Sequence, residues 1–179
     1  AAYIPMIIYG GAGLGKTHLI HAIGNRILEQ NPSKVVRYVH AEDYYSDVVR
    51  AYQTKSFDAF KRYYRSLDVL LLDDVQFFKD KTATQEELFH TFNALYEDQK
   101  KIVISSDCNP GELQGITDRL KSRFAWGLIA EIQPPDLETK IAILHKKAEA
   151  RKISIPDSVA TYIASRITSN IRELEGCLN

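Results

Sequence analysis

The sequence contains few cysteines, no excess of either charge and no long apolar run. Its two cysteines, Cys108 and Cys177, show neither CxxC spacing nor a disulfide framework, which indicates a reducing compartment and free thiols that serve packing. Lys plus Arg number 23, as do Asp plus Glu, so a nucleic-acid contact would need a local patch. No apolar run approaches the roughly 18 residues of a membrane span, and no charged-then-apolar leader is present. We therefore expect a cytoplasmic globular protein.

A phosphate-binding loop stands out among the residues that are present. Gly10, Gly15, Lys16 and Thr17 form the pattern GxxxxGKT, directly after the apolar run 5–9 and before an apolar helix face. Glycines let backbone N–H groups converge on phosphate oxygens, and the helix start adds free donors and its positive dipole end. We expect Lys16 to reach the β- and γ-phosphates and the Thr17 hydroxyl to hold Mg²⁺. This setting favours a nucleoside triphosphate site over a glycine-rich turn that matches by chance.

Two adjacent acids, Asp73 and Asp74, end the fully apolar run 69–72, which is typical of a central parallel strand buried on both faces. Acids at the carboxyl end of a sheet strand lie where nucleotides bind. We expect Asp73 to act on the Mg²⁺ side and Asp74 to polarise the attacking water; a turn-capping role for Asp74 is the alternative. The five histidines show no metal-ligand spacing, and the side chains of His18 and His21 are interpreted as structural or surface groups.

Strands alternate with helices up to residue 132, and helices alone follow. This order predicts an α/β domain with a parallel sheet flanked by helices over residues 1–133, followed by a small all-α lobe over residues 134–179. A capping box at Thr84–Glu87 predicts a helix start. The chain opens almost on the loop strand and stops inside a helical stretch, so we expect it to be part of something longer. The predicted strands are 5–9, 35–39, 69–72, 102–105 and 127–132, and the predicted helices are 16–30, 43–52, 56–65, 84–95, 117–124, 137–151, 157–165 and 170 onward.

Residues 50–65 combine basic and aromatic side chains, a mixture that suits the phosphates and exposed bases of single-stranded DNA. The spacing of Phe57, Phe60 and Tyr64 is equally that of a core-facing helix stripe, with the basic groups facing water. Both interpretations stay open from the sequence. The basic residues are Arg50, Lys55, Lys61, Arg62 and Arg65, and the other aromatic residues are Tyr52 and Tyr63.

Five segments, in this order, carry a family resemblance: GGAGLGKTHL, LLLDDVQFF, TQEELFHTFNAL, DRLKSRFAWGL and NIRELEGCLN. Together they resemble the ATPase domain of the DnaA family of bacterial chromosomal replication initiators, across essentially all 179 residues. Many AAA+ proteins share the first two segments, whereas RLKSRF combined with NIRELEG is specific to this family. The resemblance implies an AAA+ sheet followed by a helical lid.

The resemblance also assigns roles around the nucleotide. Residues Ser105 to Asp107 stand where AAA+ proteins place sensor I, and in the family pattern Asp107 fills this role. Arg172, in NIREL, matches sensor II on the lid and would contact the bound nucleotide. The loop residues implied to line ATP or ADP are Gly11, Gly13, Leu14, Gly15, Lys16, Thr17 and His18.

The resemblance also assigns residues to contacts with other subunits and with DNA. By resemblance, Arg123 is the arginine finger that reaches the ATP of an adjacent subunit, and Arg119 belongs to the same inter-subunit region. An arginine suits this role because it keeps its charge and can fork onto phosphate oxygens. Tyr45 and Lys81 are implied to contact single-stranded DNA. The family often has a second basic residue two places after Lys81, where this chain has Ala83.

We therefore expect a slow ATPase that acts as a nucleotide-controlled switch: ATP drives self-assembly on origin DNA and strand opening, and hydrolysis by Asp74, Lys16 and Arg123 ends that state. The resemblance implies ATP, ADP and Mg²⁺ as cofactors. It implies origin DNA, further copies of the chain, the replicative helicase and regulators as partners. Binding to acidic phospholipids is not inferred from these residues. The alternatives are a helicase loader of the DnaC or DnaI type, a small-molecule P-loop kinase and a catalytically inactive scaffold. The TQEELFHTF and NIRELEG segments argue against a loader.

Overall fold

The computed structural model describes residues 5–167 and 171–177. They form two compact units: an α/β unit of residues 5–10 and 16–131, and a helical unit of residues 11–15, 132–167 and 171–177. Five residues of the phosphate loop thus group with the helical unit. Asn170, where the last helix was predicted to begin, lies outside the described residues.

A five-stranded parallel sheet forms the centre of the α/β unit, which confirms the predicted fold class. The strands are β1 (Met6–Tyr9), β2 (Val36–His40), β3 (Val69–Asp73), β4 (Lys101–Ser106) and β5 (Leu128–Glu131). Their order in the sheet is β2-β3-β4-β1-β5. Strands β1, β3 and β4 are neighbours, so the loops that follow them meet at one edge of the sheet. Every residue of β3 is buried, as its apolar run predicts for an interior strand.

Helices connect successive strands and cover the sheet. Helix α1 (Lys16–Gln30) follows the phosphate loop and buries Ile20 and Gly24. Gly24 lies so close to the Leu71 side chain that an added Cβ would stand 2.7 Å from its Cδ1. A 3₁₀ turn (Val75–Phe78) follows β3. The helices are α1 (Lys16–Gln30), α2 (Ala41–Gln53), α3 (Phe57–Arg65), α4 (Thr82–Glu97), α5 (Asp118–Phe124), α6 (Leu137–Ala150), α7 (Asp157–Arg166) and α8 (Ile171–Gly176).

The aromatic residues of α2 and α3 belong largely to the core. Phe60 and Tyr64 are buried, and the Tyr44 ring meets the Tyr64 ring edge-on at 4.9 Å between centroids. Phe57 is half-buried against the same cluster. The core interpretation of these three predicted positions is therefore confirmed, and Tyr63 remains on the surface of α3 with 45% exposure.

Two local predictions are wrong. Helix α4 begins at Thr82, and Thr84 and Glu87 are buried inside it instead of forming a capping box. The reason is tertiary, because the buried side chain of the intervening Gln85 bonds to backbone groups outside the helix. Cys177 is an exposed thiol, so the packing role predicted for both cysteines applies to the half-buried Cys108 alone.

The helical unit has its own small apolar core. Leu144, Ala160, Ala164 and Leu174 are its buried members. Asp136 begins helix α6 as an N-cap, its carboxylate accepting a hydrogen bond from the Thr139 N–H at 2.8 Å, a standard way to satisfy an orphan helix donor. None of the helices in the described part of the chain has both the length and the apolar character that a membrane span requires.

Candidate nucleotide-binding site

The residue types of the phosphate loop match its backbone conformation. Gly13 and Gly15 adopt φ angles of 75° and 91°, in the left-handed region that disfavours side chains. The Gly10 N–H donates to the Ser106 carbonyl at 3.3 Å, which ties the start of the loop to the end of β4. Gly13 and Gly15 are thus required by the turn itself.

Lys16 and Thr17 begin helix α1 at the carboxyl edge of the sheet. The buried Lys16 ammonium donates to the Gly10 carbonyl at 2.8 Å. The Thr17 hydroxyl donates to Oδ2 of Asp73 at 2.7 Å. The structure therefore brings together the two side chains that the sequence predicted for Mg²⁺, although they lie 56 positions apart.

Asp73 is fully buried, and neutral donors surround its carboxylate. Besides Thr17, the Tyr38 hydroxyl donates to Oδ2 at 2.9 Å, and the Ser105 hydroxyl donates to Oδ1. Burial alone would raise the pKa of Asp73, but the bonds from Ser105, Thr17 and Tyr38, with His40 nearby, hold this pKa below its ordinary value. Asp73 is thus ionised at neutral pH.

Asp74 is the partly exposed acid of the pair. Its backbone is left-handed, with φ 61° and ψ 55°, and its side chain is 38% exposed. The Asp74 N–H donates to the Ser105 hydroxyl at 2.8 Å, so one buried serine contacts both acids. The Gln76 amide donates to Oδ1 of Asp74 at 3.1 Å. The carboxylate is exposed enough to contact water, as a general base requires.

The predicted sensor residue Asp107 follows β4 and is exposed. Its N–H donates to Oε1 of Gln76 at 3.3 Å, which connects the segment after β4 to the turn after β3. Gln76 was not predicted from the sequence, although it lies in LLLDDVQFF two places after Asp74.

His40 and Tyr38 were also missed, because they belong to a different strand. Residue His40 pairs in register with Asp73 across β2 and β3, and its Nε2 lies 3.7 Å from Oδ2 of Asp73. One ligand atom each from His40, Asp73 and Asp74 falls within 4.8 Å of the others. The signal available in the sequence was that His40 directly follows the predicted strand 35–39, whereas the spacing of histidines along the chain gave none.

The histidines of helix α1 match their interpretation. His18 is exposed, and the His21 ring packs on the Tyr38 ring with centroids 4.1 Å apart. His21 therefore supports the tyrosine that donates to Asp73, and it does so as a surface packing group.

The helical unit holds the remaining loop residues together with helix α8. The Ile171 N–H donates to the Gly13 carbonyl at 3.0 Å, and the Ile171 side chain lies next to Gly15. Arg172 is the next residue of α8 and is exposed, while Leu14 is buried. The predicted sensor II residue thus directly follows the residue that binds the loop.

Arg119 and Arg123 share one face of helix α5, as their spacing predicts. Their guanidinium carbons lie 4.3 Å and 5.2 Å from the centroid of the Phe89 ring. The Arg123 guanidinium also lies 3.7 Å from the centroid of Trp126, a ring that is half exposed. Two aromatic rings therefore hold the predicted finger at the surface.

Tyr45 and Lys81 form a small surface cluster with Phe77, which we call the aromatic–basic cluster. The Lys81 ammonium lies 5.6 Å from the Tyr45 centroid and 4.2 Å from the Phe77 centroid. It donates to the Phe77 carbonyl at 2.8 Å, and the two rings meet edge-on. The structure thus joins the two residues that the resemblance proposed for DNA and adds a third.

Comparison with known proteins agrees with this geometry. The sequence model of the family described as the bacterial DnaA ATPase domain matches residues 1–131. The chromosomal replication initiator protein DnaA of Azoarcus sp. is 63% identical over 178 residues, which cover 99% of this chain and 37% of that protein. The chain therefore spans little more than a third of this relative's length.

Solved structures extend the likeness to the fold. Domain III of the Thermotoga maritima replication initiation protein DnaA is 42% identical with a TM-score of 0.95, covering 98% of this chain and 74% of that one. A structure of replication initiator DnaA bound to AMPPCP and single-stranded DNA is 38% identical with a TM-score of 0.90, covering 99% of this chain and 55% of that one. The helicase-loader and kinase alternatives are not favoured, and the chain belongs to the bacterial DnaA ATPase-domain family.

Proposed function

We propose that this chain is the ATP-controlled switch of a chromosomal replication initiator: it binds ATP, self-assembles on origin DNA and hydrolyses ATP slowly. The observation that carries the proposal is the contact between Thr17 and the buried, ionised Asp73, beside Lys16 at the start of α1. A hydroxyl and a carboxylate from two distant segments meet at the sheet edge where nucleotides bind in this class of fold.

The phosphate loop, Gly11 to His18, is the segment we propose for ATP and ADP. Thr17 and Asp73 present a hydroxyl and a carboxylate oxygen 2.7 Å apart, and such hard oxygen ligands suit Mg²⁺. When bound, Mg²⁺ would neutralise charge on the phosphate oxygens. Lys16 adds a positive charge beside the loop, and Asp107 and Arg172 are the proposed sensors. In domain terms, residues 1–133 are the proposed nucleotide-binding core and 134–179 the lid.

Hydrolysis is assigned to Asp74, whose half-exposed carboxylate would orient the attacking water. Phosphoryl transfer needs an oriented nucleophile and charge stabilisation more than covalent help from the protein. Arg123 would supply the second positive charge, from an adjacent copy of the chain. Its guanidinium is held on aromatic rings and makes no ion pair within the described part of the chain, which favours contact with phosphate oxygens.

The aromatic–basic cluster is the proposed contact for single-stranded DNA. Tyr45 and Phe77 offer ring faces and edges, and Lys81 offers a charge for a phosphate. The DnaA structure with bound single-stranded DNA supports this assignment by likeness. The replicative helicase, regulators and duplex origin DNA remain proposed partners of the longer initiator.

Sedimentation with ATP, ADP or no nucleotide tests the switch. We expect ATP alone to promote self-association, Lys16→Ala to abolish ATP binding, and Arg123→Ala to keep ATP affinity while losing assembly. Arg26→Ala, on the exposed face of α1, is the matched control and should behave as wild type. Equal assembly with ATP and ADP would overturn the switch, and lost ATP affinity in Arg123→Ala would place that arginine in its own subunit's site.

A further inference from the structure

The 3₁₀ turn Val75–Phe78 joins the predicted catalytic acid to the predicted sensor segment through one side chain. Gln76 donates from Nε2 to Oδ1 of Asp74 at 3.1 Å and accepts at Oε1 from the Asp107 N–H at 3.3 Å. The orientation of the amide is fixed by chemistry, since a carboxylate can only accept from it and a backbone N–H can only donate to it. Gln76 therefore connects two strand ends with a single planar group.

Asp74 depends on such a contact for its orientation. The backbone of Asp74 is held through its N–H by Ser105, but its side chain is 38% exposed. The ring nitrogen Nδ1 of His40 is 3.9 Å from Oδ2, beyond hydrogen-bond distance. A carboxylate with a fixed backbone and a solvent-facing side chain still turns about its side-chain torsions, and a hydrogen bond to one oxygen restricts this rotation.

The turn itself is a rigid support. Val75 and Phe78 are fully buried, and the buried Gln85 amide donates to the Phe78 carbonyl at 2.8 Å. Gln76 is only half-buried, so its side chain contributes little to the core. Replacing it should change the position of Asp74 while leaving the fold in place.

From this geometry we propose that Gln76 is a positioning residue for ATP hydrolysis, which orients the Asp74 carboxylate relative to the main chain of Asp107. The inference rests on the proposed function, in which Asp74 orients the attacking water. Displacement of a catalytic group by about 1 Å costs on the order of 100-fold in rate, so loss of this contact should lower kcat by roughly 10- to 100-fold. ATP affinity should not change, because the hydrogen bonds of the Gln76 side chain go to Asp74 and Asp107, which lie outside the phosphate loop.

Two variants test the contribution of the Gln76 Nε2 donor separately from that of the side-chain shape. Gln76→Glu keeps the shape but replaces the donor with a carboxylate that repels Asp74, and Gln76→Met keeps the length without polar atoms. Gln30→Met, at the exposed far end of α1, is the matched control. Single-turnover hydrolysis gives the rate, a fluorescent ATP analogue gives Kd, and thermal unfolding confirms that each variant is folded.

We expect both Gln76 variants to lose kcat at unchanged Kd and Tm, with the control equal to wild type. If wild type hydrolyses ATP and Gln76→Met retains its kcat within about twofold, the positioning role is wrong while the proposed function stands. If Kd weakens in parallel with kcat, Gln76 acts on binding and the inference is overturned. If wild type binds no ATP, the proposed function fails, and the inference fails with it.

Discussion

Replacement of Ser105 by alanine tests whether one buried hydroxyl organises both acids. In the structure Ser105 is fully buried, donates to the Asp73 carboxylate and accepts the Asp74 N–H at 2.8 Å. The alanine variant keeps the strand and removes a single oxygen. It leaves one buried carboxylate oxygen and one backbone N–H without the partner that each has in the wild type.

The expected loss of stability follows from these two bonds. A hydrogen bond to a charged group contributes about 1.5–3 kcal/mol and a neutral one about 0.5–1.5 kcal/mol. Ser105→Ala should therefore lower the free energy of unfolding by ~2–4 kcal/mol at neutral pH. Such a loss is a large share of the roughly 5–15 kcal/mol that stabilises a typical domain.

The neighbouring Ser106 provides a matched control. It is equally buried at the end of β4, but its hydroxyl accepts a long 3.4 Å bond from the Cys108 N–H, and neither acid is among its hydrogen-bond partners in the described structure. Urea unfolding at pH 7 should show a loss of about 1 kcal/mol or less for Ser106→Ala. If the two variants lose equal stability, the hydroxyl of Ser105 does not organise the acids and the reasoning is refuted.

The pH dependence of stability provides a second test of the Ser105→Ala variant. The pKa of Asp73 lies below its ordinary value of 3.8 in the folded protein, so the stability it contributes is present above that value and is lost as pH falls through the folded pKa. Ser105→Ala removes the strongest of the bonds that lower this pKa. The stability gap between wild type and Ser105→Ala should therefore be full at pH 7 and shrink below about pH 4. A gap that grows on acidification would contradict this.

Three further variants test other contacts. Gln85→Ala removes bonds to Phe78, Gly115 and the Thr117 N–H and should lower the free energy of unfolding by about 2–4 kcal/mol in urea; an unchanged midpoint would contradict this. Lys81→Ala should weaken binding of a single-stranded oligonucleotide and reduce the slope of log K against log salt by about 0.7 in fluorescence anisotropy; an unaltered slope would remove Lys81 from the interface. Trp126→Ala takes a ring from the Arg123 guanidinium and should weaken ATP-dependent self-association at unchanged ATP affinity, as sedimentation and nucleotide titration would show.

The sequence predicted those elements of the fold that are marked by a local pattern of residues. Strand β3 is readable because an unbroken apolar run has one stable environment, the interior of a parallel sheet. Helix α1 ends at Gln30 as predicted, since Pro32 has no N–H to continue the helix and disfavours the helical conformation at Asn31. The start of α4 was not readable, because Gln85 is buried by partners 30 and more positions away that no local pattern encodes.

The same distinction applies to the candidate site. Lys16, Thr17 and Asp73 belong to motifs whose residues lie in a row, and the structure brings them together. Tyr38 and His40 come to Asp73 only through the pairing of β2 with β3. A sequence shows that a strand exists before it shows which strand is its neighbour, so side chains contributed by the neighbour were missed.

The electrostatics of Asp73 link the fold to its proposed chemistry. A buried carboxylate is costly unless donors compensate it, and here the donors at hydrogen-bond distance are the neutral hydroxyls of Thr17, Tyr38 and Ser105. Among the described residues, the basic side chain in ion-pair range of Asp73 is His40, whose Nε2 lies 3.7 Å from Oδ2. Hydroxyl donors keep the carboxylate ionised without cancelling its charge. A divalent cation that approaches Asp73 would therefore meet a charged carboxylate, which suits the proposed site for nucleotide and Mg²⁺.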